Sequence, residues 1–124
     1  MTTSASVCWF DLPVVELTRA MTFYSKVLSV DLKKESFGDL EMAIFPHDEN
    51  SVVGGCLFKA PNEKPSAHGI LVYFSVEGRL DAAQALVEKN HGKVLQAKHA
   101  IGPHGFRSII LDSEGNRVAL HSKT

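Results

Sequence analysis

Apolar and polar residues alternate near the start of the chain. Phe10, Leu12 and Val14 fall on one side of the alternation, and Trp9 and Asp11 fall on the other. A period of two residues predicts a β-strand. In the following segment, ELTRAMTFYSKVLS, apolar residues recur at spacings of three and four, which predicts an amphipathic helix. Three shorter strands are predicted after this helix, at about residues 30–36, 40–45 and 52–59.

The same order of elements begins again after a break. Residues 60–67, APNEKPSA, contain two prolines and no apolar periodicity, so they are predicted to link two halves of the chain. Residues 70–76 alternate again, and the segment RLDAAQALVEKNHG predicts a second helix that is capped at Gly92. Strands are predicted to follow at about residues 93–99, 106–111 and 116–122, with a hairpin turn at 112–115.

The two halves are related by one offset. Residue 76 aligns with residue 14, an offset of 62, which also places Leu71 on Trp9 and Ala119 on Leu57. The repeat predicts an α+β fold of two βαβββ modules with internal pseudo-twofold symmetry. We expect a single domain over residues 7–122 after a flexible segment at 1–6, with module 1 at about 7–59, a linker at 60–67 and module 2 at about 68–122.

One side of each predicted sheet is strongly apolar, and the helix of its module can cover it. The opposite side is mixed, because it carries Trp9 and Asp11 in module 1 and Leu71, Tyr73 and His121 in module 2. A sheet that curls around a ligand cavity has such a mixed face. A solvent-facing surface is the alternative, but Trp9, Leu71 and Tyr73 are large and apolar for that role.

Composition and charge exclude several classes of function. The chain has 124 residues and a net charge of −1, so it lacks the basic patch that nucleic acids or anionic membranes require. No apolar run approaches the roughly 20 residues of a spanning helix, and the first residues do not read as a signal peptide. Cys8 and Cys56 are predicted to be buried free thiols on the helix-facing sides of their strands, which argues against nucleophiles and favours a cytoplasmic protein.

Specific segments resemble a known superfamily. DLPVVELTRAMTFYSKVLSVDL is similar to the opening strand and helix of the vicinal oxygen chelate proteins, which include glyoxalase I, bleomycin-resistance proteins and extradiol dioxygenases. ILDSEGNRVALHS resembles their closing hairpin, and the VVGGCLF strand also agrees. The resemblance covers nearly all of residues 7–122 and is closest to the lactoylglutathione-lyase-related branch. It implies the glyoxalase/bleomycin-resistance/dioxygenase fold and a homodimer, but this fold hosts many chemistries.

The resemblance also implies where a metal would be bound. Metal-dependent members use His, Gln or Glu on the cavity-facing side of four strands. The matching positions here are Trp9, Leu71, Ala119 and Leu57, or Cys56 if the last position slips by one residue. Trp, Leu and Ala side chains cannot bind a metal, so we expect the usual site to be absent and no cofactor to be needed.

Four residues on the mixed face remain candidates for a functional role. Trp9 is predicted to line the pocket and stack on a ligand, or else to fill the place of the metal. Tyr73 can donate a hydrogen bond or simply pack in the pocket wall. Asp11 can hold a cationic or hydroxyl-bearing ligand, or form a salt bridge with Arg107. His121 can act as an acid, base or hydrogen-bonding group near neutral pH, or be a half-exposed residue at the strand end.

Three hypotheses for function follow. The first is a metal-free protein that binds a small, partly apolar or aromatic molecule, as the drug-sequestering relatives do. The second is a metal-free enzyme that uses His121, Asp11 or Tyr73 as its acid–base group. The third is a lyase, isomerase or dioxygenase whose divalent metal has moved to displaced ligands such as Glu41, His68 and His121. The first is favoured, with Trp9, Asp11, Leu57, Leu71, Tyr73, Ala119 and His121 as ligand-binding residues. The loop at 101–106, with His104, is a candidate lid.

Overall fold

The computed structural model of the protein describes residues 6–47 and 53–124, and all their side chains except that of Phe37. The predicted flexible segment therefore lies almost wholly outside the described residues. The predicted order of elements is confirmed in both modules. Module 1 consists of β1 (Trp9–Pro13), α1 (Leu17–Val27), β2 (Lys33–Phe37), β3 (Leu40–Ile44) and β4 (Gly54–Lys59). Module 2 consists of β5 (Val72–Ser75), α2 (Leu80–Val87), β6 (Lys93–Ala100), β7 (Phe106–Leu111) and β8 (Arg117–Ser122).

Each module forms a four-stranded sheet with the same topology. The strand orders are β1-β4-β3-β2 and β5-β8-β7-β6. The first and last strands of each module pair in parallel, and the remaining pairs are antiparallel. In the parallel pairs, Asp11 lies beside Cys56 and Tyr73 lies beside Ala119. This register decides which side chains share a face of the sheet.

One hydrophobic core joins the two modules. The apolar stripe of α1, which includes Phe23 and Tyr24, is fully buried, and α1 also contacts α2. The ring of Phe74 from β5 lies 5.2 Å from that of Tyr24 and 5.3 Å from that of Phe45 in module 1. Because burying one such side chain contributes about 1.5–3 kcal/mol, this shared aromatic cluster holds the modules together.

The hairpin turn between β7 and β8 adds polar contacts across the modules. The buried carboxylate of Asp112 accepts hydrogen bonds from the Tyr24 hydroxyl at 2.6 Å and from the N–H groups of Glu114 and Asn116 at 2.9 Å each. The Asn116 side chain donates to the carbonyl oxygen of Pro13 at 2.7 Å. Burial raises the pKa of Asp112, and burial together with the Asp112 charge raises that of Tyr24 well above its usual range.

Glu114 of the same turn holds the start of α1. Its carboxylate accepts the N–H groups of Val15 at 2.9 Å and Glu16 at 2.8 Å and forms an ion pair with Arg19 at 2.7 Å. Burial alone would raise the pKa of Glu114, but these hydrogen bonds and one from Ser113 lower it to about 2. The turn therefore satisfies N–H groups that a helix start would otherwise leave without partners.

Two local predictions are wrong. His91, not Gly92, adopts the left-handed conformation after the second helix, with φ of 75°. Gly92 is needed for close packing, because a Cβ there would lie 2.6 Å from the Leu111 carbonyl oxygen. Cys8 precedes β1 and is exposed rather than buried. Within residues 6–47 and 53–124, neither α1 nor α2 is long and apolar enough to cross a membrane.

Candidate functional site

Each sheet has a face that points away from the shared core. We call the side of the module 1 sheet that carries Trp9, Asp11 and Cys56 face 1, and the side of the module 2 sheet that carries Tyr73 and His121 face 2. Trp9 is 40% exposed and Tyr73 is 45% exposed, whereas their strand neighbours Leu12 and Phe74 are buried in the core. Alternation along β1 and β5 therefore places the predicted candidates on the two faces, away from the core.

The polar groups of face 1 are hydrogen-bonded to one another. The Asp11 carboxylate accepts the Trp9 indole N–H at 2.9 Å and the Cys56 thiol at 3.3 Å. The Trp9 ring covers Gly54, where a Cβ would lie 2.8 Å from it, and its edge approaches His47 with centroids 6.0 Å apart. Burial, aided by the hydrogen bond and charge of Asp11, raises the pKa of Cys56 to about 12. This thiol is therefore a hydrogen-bond donor rather than a nucleophile.

Face 2 contains an open depression of about 510 Å³, which we call the face 2 cavity. Its lining residues are Tyr73, Ile101, His104, Arg107 and His121. They come from β5, β7, β8 and the loop that the sequence suggests as a lid. The carbonyl oxygen of His104 in that loop lies 2.7 Å from Nε2 of His121, which fixes the loop against β8. The sequence therefore placed Tyr73, His121 and this loop in one region, and the structure brings them together.

Arg107 connects the other side chains of face 2. Its Nε donates to Nε2 of His99 at 3.0 Å, and its Nη1 donates to the Tyr73 hydroxyl oxygen. The guanidinium carbon also lies 5.9 Å from the centroid of the Tyr73 ring, within the range of a cation–π contact. The predicted alternative of an Asp11–Arg107 salt bridge is wrong, because each side chain bonds to residues of its own module.

Hydrogen-bond partners assign the tautomers of two histidines. A carbonyl oxygen only accepts, so Nε2 of His121 carries the proton and Nδ1 of the neutral ring is unprotonated. His99 has the opposite tautomer, because its Nδ1 lies 2.9 Å from the Ala97 carbonyl oxygen and its Nε2 accepts from Arg107. Face 2 thus offers a basic nitrogen on His121 beside the donors of Arg107 and Tyr73.

One predicted ligand-binding residue is wrong. Leu57 has no exposed surface and packs in the shared core, while its neighbour Cys56 lies on face 1. The equivalent of Ala119 is therefore Cys56, at an offset of 63 rather than 62, as the register beside Asp11 and Tyr73 shows. Ala119 itself is fully buried between Tyr73 and Ile109 of the neighbouring strands, and Leu71 lies just before β5, partly buried.

The displaced metal ligands suggested by the sequence do not come together. Glu41 pairs with Lys59 on the side opposite face 1 and lines a separate depression of about 340 Å³. His68, at the start of module 2, is exposed beside β1, whereas His121 lies on face 2. Among the residues that the structure describes, no three His, Cys, Asp or Glu side chains are arranged to hold a metal ion.

The usual ligand positions do not fit a metal either. They are occupied by Trp9, Leu71, Ala119 and Cys56, of which only Cys56 has a donor atom. Its thiol keeps its proton and donates a hydrogen bond to Asp11, whereas a metal ligand must be the thiolate. The donor set of this chain therefore lacks the chemistry of the metal-dependent relatives.

Sequence reasoning missed Arg107 and His99 as parts of the site. The sequence suggests Arg107 only as a partner of Asp11, and it places residue 99 only at the end of a predicted strand. The alternation in β7 places Arg107 across from His121, which was a usable signal. Alternation could not place His99 at the site, because β6 shifts register twice between Val94 and His99.

The comparisons with known proteins agree with this architecture. The sequence model of the Glyoxalase/Bleomycin resistance protein/Dioxygenase superfamily matches residues 6–120. No curated protein sequence matches the chain. Among solved structures, a glyoxalase/bleomycin resistance protein from Albidiferax ferrireducens T118 has 12% identity and a TM-score of 0.72, covering 97% of this chain and 100% of that one.

Two further structures show the same fold. A glyoxalase-related enzyme from Fulvimarina pelagi has 12% identity and a TM-score of 0.69, over 94% of this chain and 87% of that one. Glyoxalase I from Zea mays has 21% identity and a TM-score of 0.72, over 94% of this chain and 45% of that one, so this chain spans about half of that protein. The match to the family model over residues 6–120 shows that the chain belongs to the Glyoxalase/Bleomycin resistance protein/Dioxygenase superfamily.

Proposed function

We propose that the protein binds a small, partly aromatic organic molecule in the cavity of face 2, without a metal. The observation that carries this proposal is the cavity of about 510 Å³, which combines an apolar residue, an aromatic ring and several hydrogen-bonding groups. Ligand sites in proteins are commonly about 300–1,000 Å³ and combine apolar walls with a few polar groups. Tyr73 and Ile101 supply the apolar contacts, and Arg107 and His121 supply the polar ones.

We also infer that a second copy of the chain covers this cavity. The described residues that line it belong to module 2, and Tyr73 remains 45% exposed. Large apolar side chains are also exposed elsewhere, including Trp9 on face 1 and Ile70, which is 90% exposed. Association through these residues would remove apolar surface from water and enclose the ligand. Light scattering after gel filtration tests the homodimer, and a monomer at every concentration contradicts it.

A metal-free enzyme is the second candidate, and the hydrogen bond between Nε2 of His121 and the His104 carbonyl oxygen is the observation that favours it. With its proton on Nε2, the neutral ring leaves Nδ1 to accept a proton from a ligand, while the Tyr73 and Arg107 groups can donate to an oxygen of that ligand. The ring centroids of Tyr73 and His121 are 6.3 Å apart, so one small molecule can contact both. Such an arrangement suits proton transfer next to a carbonyl group.

A ligand screen with product analysis distinguishes binding from catalysis. Small aromatic acids, alcohols and ketones are incubated with the wild-type protein and with His121→Ala, and affinity and products are measured separately. Unchanged ligands recovered from both proteins support a binding protein, whereas a product that is lost in His121→Ala identifies an enzyme. His68→Ala is the matched control, because His68 is exposed and lies outside the cavity of face 2.

Elemental analysis tests the metal-free part of the proposal. Protein purified without chelator and dialysed should hold far less than one equivalent of Ni, Zn, Fe or Mn, because three of the four ligand positions lack a donor atom and the fourth is the protonated thiol of Cys56. Near-stoichiometric metal that survives dialysis would overturn the proposal. If metal is retained, Cys56→Ala shows whether the thiol of face 1 holds it.

A further inference from the structure

The charges around Arg107 are unbalanced. The described ion pairs are Arg19–Glu114 and Lys98–Asp81, and within residues 6–47 and 53–124 no carboxylate lies within 4.0 Å of the Arg107 guanidinium. Its partners, His99 and Tyr73, are neutral acceptors. None of the described residues that line the face 2 cavity is acidic. A partly buried cation without a counter-charge is unfavourable, and an anionic ligand would compensate it.

The hydrogen-bonding capacity of this group is also only partly used. A guanidinium carries five N–H donors, and the described contacts of Arg107 use one on Nε and one on Nη1. The Tyr73 oxygen accepts from Arg107, so its own hydroxyl proton is available to another acceptor. Two adjacent donor groups thus remain for a ligand in the cavity.

Neighbouring residues hold these donors in place. His99 accepts a hydrogen bond from Nε of Arg107 and is itself bonded through Nδ1 to the Ala97 carbonyl oxygen at 2.9 Å. This chain of hydrogen bonds holds the Nε side of the guanidinium in place. The hydrogen bond from Nη1 to the Tyr73 hydroxyl oxygen holds it at a second point. A guanidinium held in this way loses little conformational entropy when it binds a planar oxyanion through two hydrogen bonds.

We propose that Arg107 and Tyr73 form an oxyanion-binding subsite, so that the ligand of face 2 is a singly charged organic anion with an aromatic or apolar body. One guanidinium balances one negative charge. The carboxylate or sulfonate oxygens bind Arg107 and the Tyr73 hydroxyl, and the body packs on the Tyr73 ring and Ile101. This proposal rests on the proposed function, because it assumes that face 2 holds the ligand.

Two fluorescent dyes with similar aromatic bodies test the charge requirement. 8-Anilinonaphthalene-1-sulfonate is an anion, and N-phenyl-1-naphthylamine is its neutral counterpart. We expect the wild-type protein to bind the sulfonate about 10- to 100-fold more tightly, since a hydrogen bond to a charged group contributes about that factor. Arg107→Gln should remove this advantage and leave the affinity for the neutral dye within about twofold.

Three further variants make the result specific. Lys26→Gln loses the same charge from the exposed surface of α1 and should leave both affinities unchanged. Arg107→Lys, with its fold checked by circular dichroism, keeps the charge but loses the planar arrangement of N–H donors. It should retain part of the preference for the sulfonate over the neutral dye. Tyr73→Phe removes only the hydroxyl and should weaken binding of the sulfonate by about fivefold, with no change for the neutral dye.

The outcomes separate this proposal from the proposed function. If both dyes bind with equal affinity, or if Lys26→Gln weakens the sulfonate as much as Arg107→Gln does, the oxyanion subsite is wrong while a binding cavity remains. If neither dye binds to the folded wild-type protein, both proposals fail. Displacement of the sulfonate by benzoate but not by benzamide would support the subsite with a carboxylate.

Discussion

Face 1 and face 2 occupy corresponding places in two modules of the same topology, yet they use their polar groups differently. On face 1, one carboxylate oxygen of Asp11, Oδ1, accepts hydrogen bonds from both Trp9 and Cys56, so the donors of this network are already used. On face 2, the described hydrogen-bond partners of Arg107 are neutral groups, and the proton of Tyr73 has no described acceptor. A repeated fold can thus hold two equivalent faces of which face 2 keeps free hydrogen-bond donors, whereas face 1 offers an acceptor, the second oxygen of the Asp11 carboxylate.

The largest expected effect is on the rate at which the thiols react, and it tests whether Cys56 on face 1 is protected from reagents. Burial and Asp11 raise the pKa of Cys56 to about 12, whereas Cys8 is exposed. At pH 8, Cys56 in Cys8→Ser should react with a thiol reagent on the order of a thousandfold more slowly than an ordinary exposed thiol. Asp11→Asn in the same background should accelerate the reaction. Rapid labelling of Cys56 in Cys8→Ser, in which Asp11 is unchanged, would show that this thiol is not protected on face 1.

The next prediction tests whether the two faces share one scaffold. Asp112→Ala leaves Tyr24 and the N–H groups of Glu114 and Asn116 without their acceptor. We expect the free energy of unfolding to fall by about 3 kcal/mol, because orphaned buried donors cost about 1–3 kcal/mol each. Urea unfolding followed by circular dichroism measures this, with exposed Asp31→Ala as the control. Two separate transitions in the wild-type protein would contradict a shared core.

A smaller effect should appear in acid. The folded-state pKa of Glu114 is lowered to about 2, so its contribution to stability is complete above its ordinary value of 4.5 and is lost as the pH falls from about 4.5 to about 2. Glu114→Gln should be about 1 kcal/mol less stable at pH 7, and the two stability curves should converge towards pH 2. A constant difference across this range would mean that the carboxylate charge is unimportant.

The sequence predicted the order of elements and the orientation of β1, β5 and β8, because alternation with a period of two reports directly which residues share a face. Trp9, Asp11, Tyr73 and His121 were placed on the outer faces for this reason. Leu57 was misplaced because the offset between modules is 62 in the first strands and 63 in the last, and a slip of one residue reverses the side of the sheet.

The remaining errors have similar physical causes. Alternation in the sequence predicts Cys8 on the buried side of a strand, but this strand starts only at Trp9. The sequence predicts Gly92 as a helix cap, but its role is to allow close packing against the Leu111 carbonyl oxygen. The contact between His99 and Arg107 depends on register shifts in β6, which alternation along a single strand does not reveal.

The most direct test of the difference between the faces is to map ligand binding residue by residue. Backbone amide signals of the isotope-labelled protein are recorded by NMR during titration with 8-anilinonaphthalene-1-sulfonate. We expect the largest shifts at Tyr73, Arg107, His121 and their neighbours in β5, β7 and β8, and little change at Trp9, Asp11 and Cys56. Shifts centred on face 1, or spread evenly over both modules, would contradict it.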